Sequence, residues 1–313
     1  MSAARQLVFL LTAGLAFAPQ PGRTAKKTIV GINGREFVIN GRPTYEGRSY
    51  DGARVQGLLF NSRMVQGIVD DRNPETRARW NYPDGAWDAE RNTREFIAAM
   101  PLWKAKGLIA FTINLQAGSP EGYSRAQPWV TSSFETDGTL RADYTSRLER
   151  ILDRADELGM VAIVGFFYQG QERQMDDERA VIRAADAATD WVIDKGYTNV
   201  LIEVANEADN AGFKHAIIKP AGQGVQLITR VKERSTGKVA SPSGRLLVST
   251  SLNGGRVPSD SLANVVDFVL LHGNGVSEPS RITQMVAETR SLPSYRGQPI
   301  VFNEDDHFDF DKP

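Results

Sequence analysis

Two Asn-Glu dipeptides stand out because each one directly follows an apolar run with the composition of a buried strand. Asn206-Glu207 ends the run over residues 201–205, and Asn303-Glu304 ends the run over residues 299–302. Two carboxyl groups brought together can divide proton transfer and nucleophilic attack between them. Taken singly, each glutamate could also be a solvated loop residue or a helix cap. The catalytic interpretation therefore requires that the fold bring the two together.

The rest of the chain alternates between strand-like apolar runs and segments with helical periodicity, an order typical of parallel strands joined by helical crossovers. The predicted strands are 58–61, 108–115, 161–168, 200–204, 246–250, 266–271 and 299–302. This α/β pattern predicts a TIM (β/α)8 barrel, preceded by a short N-terminal β-hairpin that turns at Asn40-Gly41. An eighth βα unit is missing after the seventh strand, so we expect a C-terminally truncated barrel with an exposed sheet edge.

In such barrels the reacting groups lie at the carboxyl ends of the strands. Glu207 follows strand four and Glu304 follows strand seven, so both are predicted to lie at one mouth of the barrel. This arrangement resembles the clan A glycoside hydrolases, including family 5, in which an Asn-Glu after strand four supplies the acid/base and a Glu after strand seven supplies the nucleophile. The resemblance covers roughly residues 36–307 and does not select one family within the clan.

The resemblance implies retaining hydrolysis of O-glycosidic bonds in a poly- or oligosaccharide, with Glu207 as acid/base and Glu304 as nucleophile. It also implies that Asn206 binds the sugar 2-hydroxyl and that His272, after strand six, lies near the nucleophile. For these roles Glu207 is expected to stay protonated near neutral pH while Glu304 stays ionised. The alternative is a non-catalytic carbohydrate-binding barrel, against which the presence of both glutamates argues.

Other polar and aromatic residues are predicted to line the same rim and bind substrate. They are Asn61 and Arg63 after strand one, Gln116 after strand two, Tyr168 after strand three, and Trp80 and Trp129 in the intervening loops. Arg63 could steady the charge of Glu304 or form a surface salt bridge. The amides could equally be turn residues, and the tryptophans could stack on sugar rings or anchor their loops.

Composition excludes several other classes of function. The 37 Lys and Arg residues against 38 Asp and Glu residues give a net charge of −1, so no overall field attracts nucleic acid. The chain has no cysteine, which excludes disulfides and thiolate zinc sites. No paired-histidine metal motif and no glycine-rich phosphate loop occurs, so we predict neither a metal nor another cofactor, and a barrel enzyme for phosphorylated metabolites is disfavoured.

The chain is predicted to have three parts, and the N-terminus indicates export. Residues 1–18 combine Arg5, an apolar run and Ala16-Phe17-Ala18, which is typical of a signal peptide or an uncleaved anchor. A linker over 19–34 and a barrel domain over 35–313 follow. We expect a secreted or periplasmic protein, free or anchored by this segment, with a carbohydrate partner and no transmembrane partner. The sequence does not indicate an oligomeric state.

Overall fold

The computed structural model describes residues 26–121, 126–219 and 224–306. The predicted signal segment and His307 lie outside these ranges. The strands are β1 (Val30–Asn33), β2 (Glu36–Ile39), β3 (Arg42–Pro43), β4 (Ser49–Tyr50), β5 (Ala53–Arg54), β6 (Asn61–Arg63), β7 (Ala110–Asn114), β8 (Val161–Phe167), β9 (Val200–Ala205), β10 (Leu247–Ser249), β11 (Val269–His272) and β12 (Ile300–Glu304). The α-helices are α1 (Ala89–Ala105), α2 (Ala142–Leu158), α3 (Glu178–Asp194), α4 (Gly224–Ser235), α5 (Asp260–Val265) and α6 (Pro279–Ser291).

The N-terminal hairpin is confirmed, and it belongs to a three-stranded antiparallel sheet in the order β1-β2-β3. Asn40 and Gly41 have φ values of 52° and 79°, the left-handed pair that a type I′ turn requires. The predicted linker over 19–34 is wrong at its C-terminal end, because β1 pairs with β2 from Val30↔Ile39 to Asn33↔Glu36. A run of only four residues next to a basic stretch gave too weak a signal in the sequence.

Strands β6 to β12 are the strands of an α/β barrel. The order β10-β9-β8-β7-β6 forms a parallel sheet, and β11 and β12 form a parallel pair beside it. The Asp267 N–H donates to Val248 O at 3.0 Å, which connects β10 to the residues just before β11. The Asn61 side chain donates to Phe302 O at 2.9 Å and so connects β6 to β12. Strand pairing at β6 begins at Asn61, three residues later than predicted.

The helices confirm the predicted alternation, and local capping explains where they begin and end. The Asp88 carboxylate accepts the N–H groups of Glu90 and Arg91, which fixes the start of α1. Helix α2 ends at Gly159, whose φ of 68° suits a left-handed C-cap. Both helices pack apolar side chains on the sheet, including Met100 and Ile151, which are fully buried.

The N-terminal sheet closes one end of the barrel. Val30 N–H donates to Thr198 O at 2.9 Å, just before β9 begins. Phe37 packs edge-on against Phe268, with ring centroids 6.0 Å apart, just before β11 begins. Both contacts lie at the amino ends of the barrel strands, so the carboxyl ends are left for a site. None of the helices within the described ranges is long and apolar enough to cross a membrane.

Candidate active site

Glu207 and Glu304 meet at the carboxyl ends of the barrel strands, as predicted. Glu207 follows β9 and Glu304 ends β12, and the two residues are only 7% and 9% exposed. One carboxylate oxygen of each lies within 4.8 Å of the other and of a ring nitrogen of His272. The fold therefore brings two buried carboxyl groups close enough to act on one bond.

Glu207 has an unusual backbone conformation that its surroundings hold in place. Its φ is 50°, in the left-handed region that residues other than glycine seldom occupy. Its N–H donates to the Ser251 hydroxyl at 2.9 Å, and the N–H of the preceding Asn206 donates to Phe167 O at 2.9 Å. Such conformations cost free energy and cluster at functional sites, where neighbouring contacts maintain them.

Side chains from the loops after β9 and β11 donate to the Glu207 carboxylate. Asn274 donates to Oε1 at 3.1 Å and Asn210 donates to Oε2 at 3.2 Å. Burial raises the pKa of Glu207, but the hydrogen bonds from His272 and Asn274, with the charge of His272, outweigh it, so the pKa lies below its ordinary value. The expectation that Glu207 stays protonated near neutral pH is therefore wrong for the free protein, because these donors stabilise the ionised form.

Arg63 forms an internal ion pair with Glu304, so the alternative that Arg63 forms a surface salt bridge is wrong. Its Nε is 2.7 Å from Glu304 Oε2, its side chain is 14% exposed, and it also donates to Asn206 Oδ1. Burial lowers the pKa of Arg63, but the charges of Glu304 and Glu203 outweigh it and raise the pKa above its ordinary value. Arg63 therefore stays positive and provides a counter-charge beside the Glu304 carboxylate.

His272 lies between the two glutamates, and so near Glu304, as the resemblance implied. Its Nδ1 is 3.4 Å from Glu207 Oε1 and 3.6 Å from Glu304 Oε2, and the ring is fully buried. Two carboxylates and an imidazole are a donor set that divalent transition metals use. The Arg63 guanidinium already neutralises Glu304, however, so a metal ion would compete with it for that carboxylate.

Tyr168 lies beside this group at the end of β8. Burial raises the pKa of its hydroxyl to about 12, and Arg63, Glu304 and Glu207 are close enough to influence it. The phenol is therefore neutral at any working pH and can donate a hydrogen bond. A Cβ atom at Gly118 would lie 3.3 Å from the hydroxyl, so glycine there leaves room around it.

Four of the predicted substrate-binding residues have structural roles instead. Gln116 is fully buried, donates to Ser132 Oγ at 3.0 Å and accepts Tyr168 N–H at 3.0 Å. Asn61 donates to Leu59 O on its own segment and to Phe302 O on β12. Trp80 and Trp129, 7% and 0% exposed, pack in a small core under the loops and present no free face to a sugar. The apolar area that they bury there favours loop anchoring over ligand stacking.

Sequence reasoning missed several residues of the site, among them Glu203, Ser251 and Asn274. Glu203 is fully buried within β9, and Ser251 and Asn274 follow β10 and β11. A charged residue inside an apolar strand was a usable signal, because a buried charge must be paired. Ser251 and Asn274 gave no comparable signal, since polar residues after a strand are ordinary loop residues.

Comparisons with known proteins bear on the fold. No protein-family model and no curated protein matches the chain. A solved structure described as a glycoside hydrolase is 10% identical and covers 91% of this chain and 58% of its own, with a TM-score of 0.52. A mutant of the glycoside hydrolase family 5 mannosidase from Rhizomucor miehei is 13% identical and covers 88% of this chain and 72% of its own, with a TM-score of 0.50.

The chain also spans 53% of the length of a family 5 glycoside hydrolase from Bacteroides vulgatus, about half, at 12% identity and a TM-score of 0.49. Identities this low establish similarity of fold and leave function to the site itself. The similarity to the family 5 mannosidase, at a TM-score of 0.50, shows that the protein has an α/β barrel similar to that of family 5 glycoside hydrolases, as the sequence resemblance implied.

Proposed function

We propose that this protein is a retaining glycoside hydrolase that cleaves O-glycosidic bonds in a poly- or oligosaccharide. The observation that carries the proposal is the buried pair of Glu207 and Glu304, with carboxylate oxygens within 4.8 Å at the mouth of the barrel. Retaining enzymes hold their carboxyl groups about 5 to 5.5 Å apart, whereas inverting enzymes leave room for a water molecule between them. The short separation supports double displacement.

In the first step Glu304 attacks the anomeric carbon while Glu207 protonates the departing glycosidic oxygen. In the second step Glu207 takes a proton from water, whose oxygen attacks the anomeric carbon, and the bond from that carbon to Glu304 breaks and releases the Glu304 carboxylate. The Arg63 guanidinium, with its Nε 2.7 Å from Glu304 Oε2, holds the attacking carboxylate in place. The Asn206 amide is hydrogen-bonded to Arg63 and Gln169, so it is fixed in place before substrate binds. We expect it to hydrogen-bond the sugar 2-hydroxyl.

The low pKa of Glu207 in the free protein sets the pH range of this mechanism. The form that binds substrate productively carries one proton on the pair, and two carboxyl groups this close titrate as a coupled unit. Because His272 and Asn274 stabilise ionised Glu207, that proton is retained only on the acidic side. We expect kcat/KM to be highest at acidic pH.

A non-catalytic carbohydrate-binding barrel is the alternative. Neutral sugars are bound by aromatic faces and amides, and such binding does not need two buried glutamates with a dedicated arginine. Burying these charges costs desolvation free energy, and a protein that only binds sugar would be more stable with apolar residues in their place. Their presence therefore favours an enzyme.

We further propose that the protein is exported, on the strength of the signal-like composition of residues 1–18. N-terminal sequencing of protein recovered from the medium, the periplasm and membranes tests this. A processed chain outside the cytoplasm supports export, and an intact chain confined to the cytoplasm contradicts it.

Reducing-sugar release by the wild type and by Glu304→Gln tests the proposed activity. The panel is plant, algal and bacterial polysaccharides, with mannans first because one similar structure is named a mannosidase. Circular dichroism establishes that both proteins are folded. Activity on one glycan that falls at least about 1,000-fold in the variant supports the proposal, since the nucleophile carries the first step. Equal activity of both proteins, or a folded wild type that binds a glycan without cleaving it, contradicts it.

A further inference from the structure

Glu203 is a third glutamate of the site, and it lies below the other two inside the barrel. Leu201 belongs to the apolar cluster inside the barrel, with Leu247 and Leu270. Side chains alternate along a strand, so Glu203 projects to the same side two residues later. It is fully buried. A buried carboxyl group with no apolar packing role must be explained by its partners.

One oxygen of Glu203 is connected to the backbone of Glu207 through the Ser251 hydroxyl. The Ser251 hydroxyl donates to Glu203 Oε1 at 2.5 Å, and the same hydroxyl accepts the Glu207 N–H at 2.9 Å. Because its proton is committed to Glu203, the serine oxygen is turned to accept from Glu207. This bond supports the residue whose φ is left-handed.

The other oxygen of Glu203 contacts two residues that neighbour Glu304, Asn303 and Arg63. Asn303 Nδ2 donates to Glu203 Oε2 at 3.2 Å, and Asn303 is the residue directly before Glu304. The same oxygen is 3.8 Å from Nη1 of Arg63, on the guanidinium whose Nε binds Glu304. Glu203 therefore reaches β12 and the arginine together.

We propose that Glu203 is a positioning residue that fixes both catalytic glutamates, Glu207 through Ser251 and Glu304 through Arg63 and Asn303. It does not touch the reacting atoms. This inference rests on the proposed glycosidase function for its kinetic consequence, but its structural content stands on the contacts alone. A misplacement of about 1 Å in a catalytic group can cost roughly 100-fold in rate, so the loss of these contacts should be visible in kcat.

Glu203→Gln is the informative variant, because it keeps the volume and one acceptor oxygen for Ser251. Its amide nitrogen cannot accept from Asn303 or pair with Arg63. Glu172→Gln is a matched control: Glu172 is also fully buried, but it accepts the N–H groups of Lys214 and His215. Glu172→Gln should lower the melting temperature without affecting the paired glutamates.

The test combines crystal structures of wild type and both variants with their values of kcat and KM. We expect Glu203→Gln to lower kcat about 10- to 100-fold with KM within about threefold, and to displace the Arg63 guanidinium. Glu172→Gln should leave kcat and the Arg63 position as in the wild type. Glu203→Asp, which keeps the charge, should recover part of the lost kcat.

The two proposals fail in different ways. If the wild type cleaves no glycoside, the proposed function fails, and the crystal structures still decide the positioning role. If Arg63, Glu207 and Glu304 occupy the same positions in Glu203→Gln as in the wild type, the positioning role is overturned, whatever the activity. It is also overturned if Glu203→Gln and Glu172→Gln lower kcat equally, because that result indicates a general loss of stability.

Discussion

Asn274 provides the sharpest test of how the site controls the proton on Glu207. Its amide donates to Glu207 Oε1 at 3.1 Å, and this bond is one of the causes that hold the pKa of Glu207 below its ordinary value. Replacing Asn274 by alanine removes the donor and leaves the burial. The ionised form of Glu207 is then less stable, so its pKa should rise.

The size of the rise follows from the strength of the bond. Hydrogen bonds to charged groups contribute about 1.5 to 3 kcal/mol. One pKa unit corresponds to about 1.36 kcal/mol, which gives roughly 1 to 2 units. Asn274 is only partly buried, so water can replace part of the lost bond. We therefore expect a rise of about 1 unit, at the lower end of that range.

The assay is a carbon-13 NMR titration of the Glu207 carboxyl group in wild type, Asn274→Ala and Asn92→Ala. Asn92 is a matched control, because its amide donates to Gln66 O and makes no bond to Glu207. The alkaline limb of the pH profile of kcat/KM should move to higher pH by the same amount as the midpoint of the NMR titration. An unchanged or lower midpoint in Asn274→Ala would refute the hydrogen-bond explanation of the low pKa.

Three further predictions follow from the same geometry. Arg63→Met should lower kcat/KM at least about 100-fold, because Glu304 loses its counter-charge while Glu207 remains close. Steady-state kinetics measure this loss, and a decrease of less than about threefold would contradict the prediction. The pKa of Glu207 is lower in the folded than in the unfolded protein, so it stabilises the fold above the unfolded pKa, and this stabilisation is lost as pH falls through the folded pKa. Asn274→Ala should therefore lower the free energy of unfolding in urea more at pH 7 than at pH 3. An equal decrease at both pH values would contradict this prediction. Trp129→Ala should cost about 3 to 5 kcal/mol of unfolding free energy, and a change near zero would show that Trp129 is not a core residue.

Sequence reasoning succeeded where local signals were strong. Asn206-Glu207 and Asn303-Glu304 are polar groups that end apolar strands, and parallel strands bring such ends to one face. The ends of helix α1 are encoded equally locally, because Asp88 and Gly107 flank it. The type I′ turn at Asn40 and Gly41 was equally local.

The remaining features depend on contacts between residues distant in sequence. Whether Gln116 or Trp129 faces a ligand or the core is decided by how the loops after β7 and β8 fold over one another. The low pKa of Glu207 arises from donors on other loops, so no reading of its neighbours in sequence could give its direction. Glu203 was visible as a charge within a strand, but its partners Ser251 and Asn303 lie 48 and 100 positions away.

The central claim is that Glu304 forms a covalent bond to sugar in a two-step hydrolysis, and trapping that bond tests it most directly. The protein is incubated with activated 2-deoxy-2-fluoro glycosides, which slow the second step, and the labelled peptide is identified by mass spectrometry. We expect one glycosyl group, attached to Glu304 and absent from Glu304→Gln. A label on Glu207, or turnover of the natural glycan with inversion of the anomeric carbon, would contradict it.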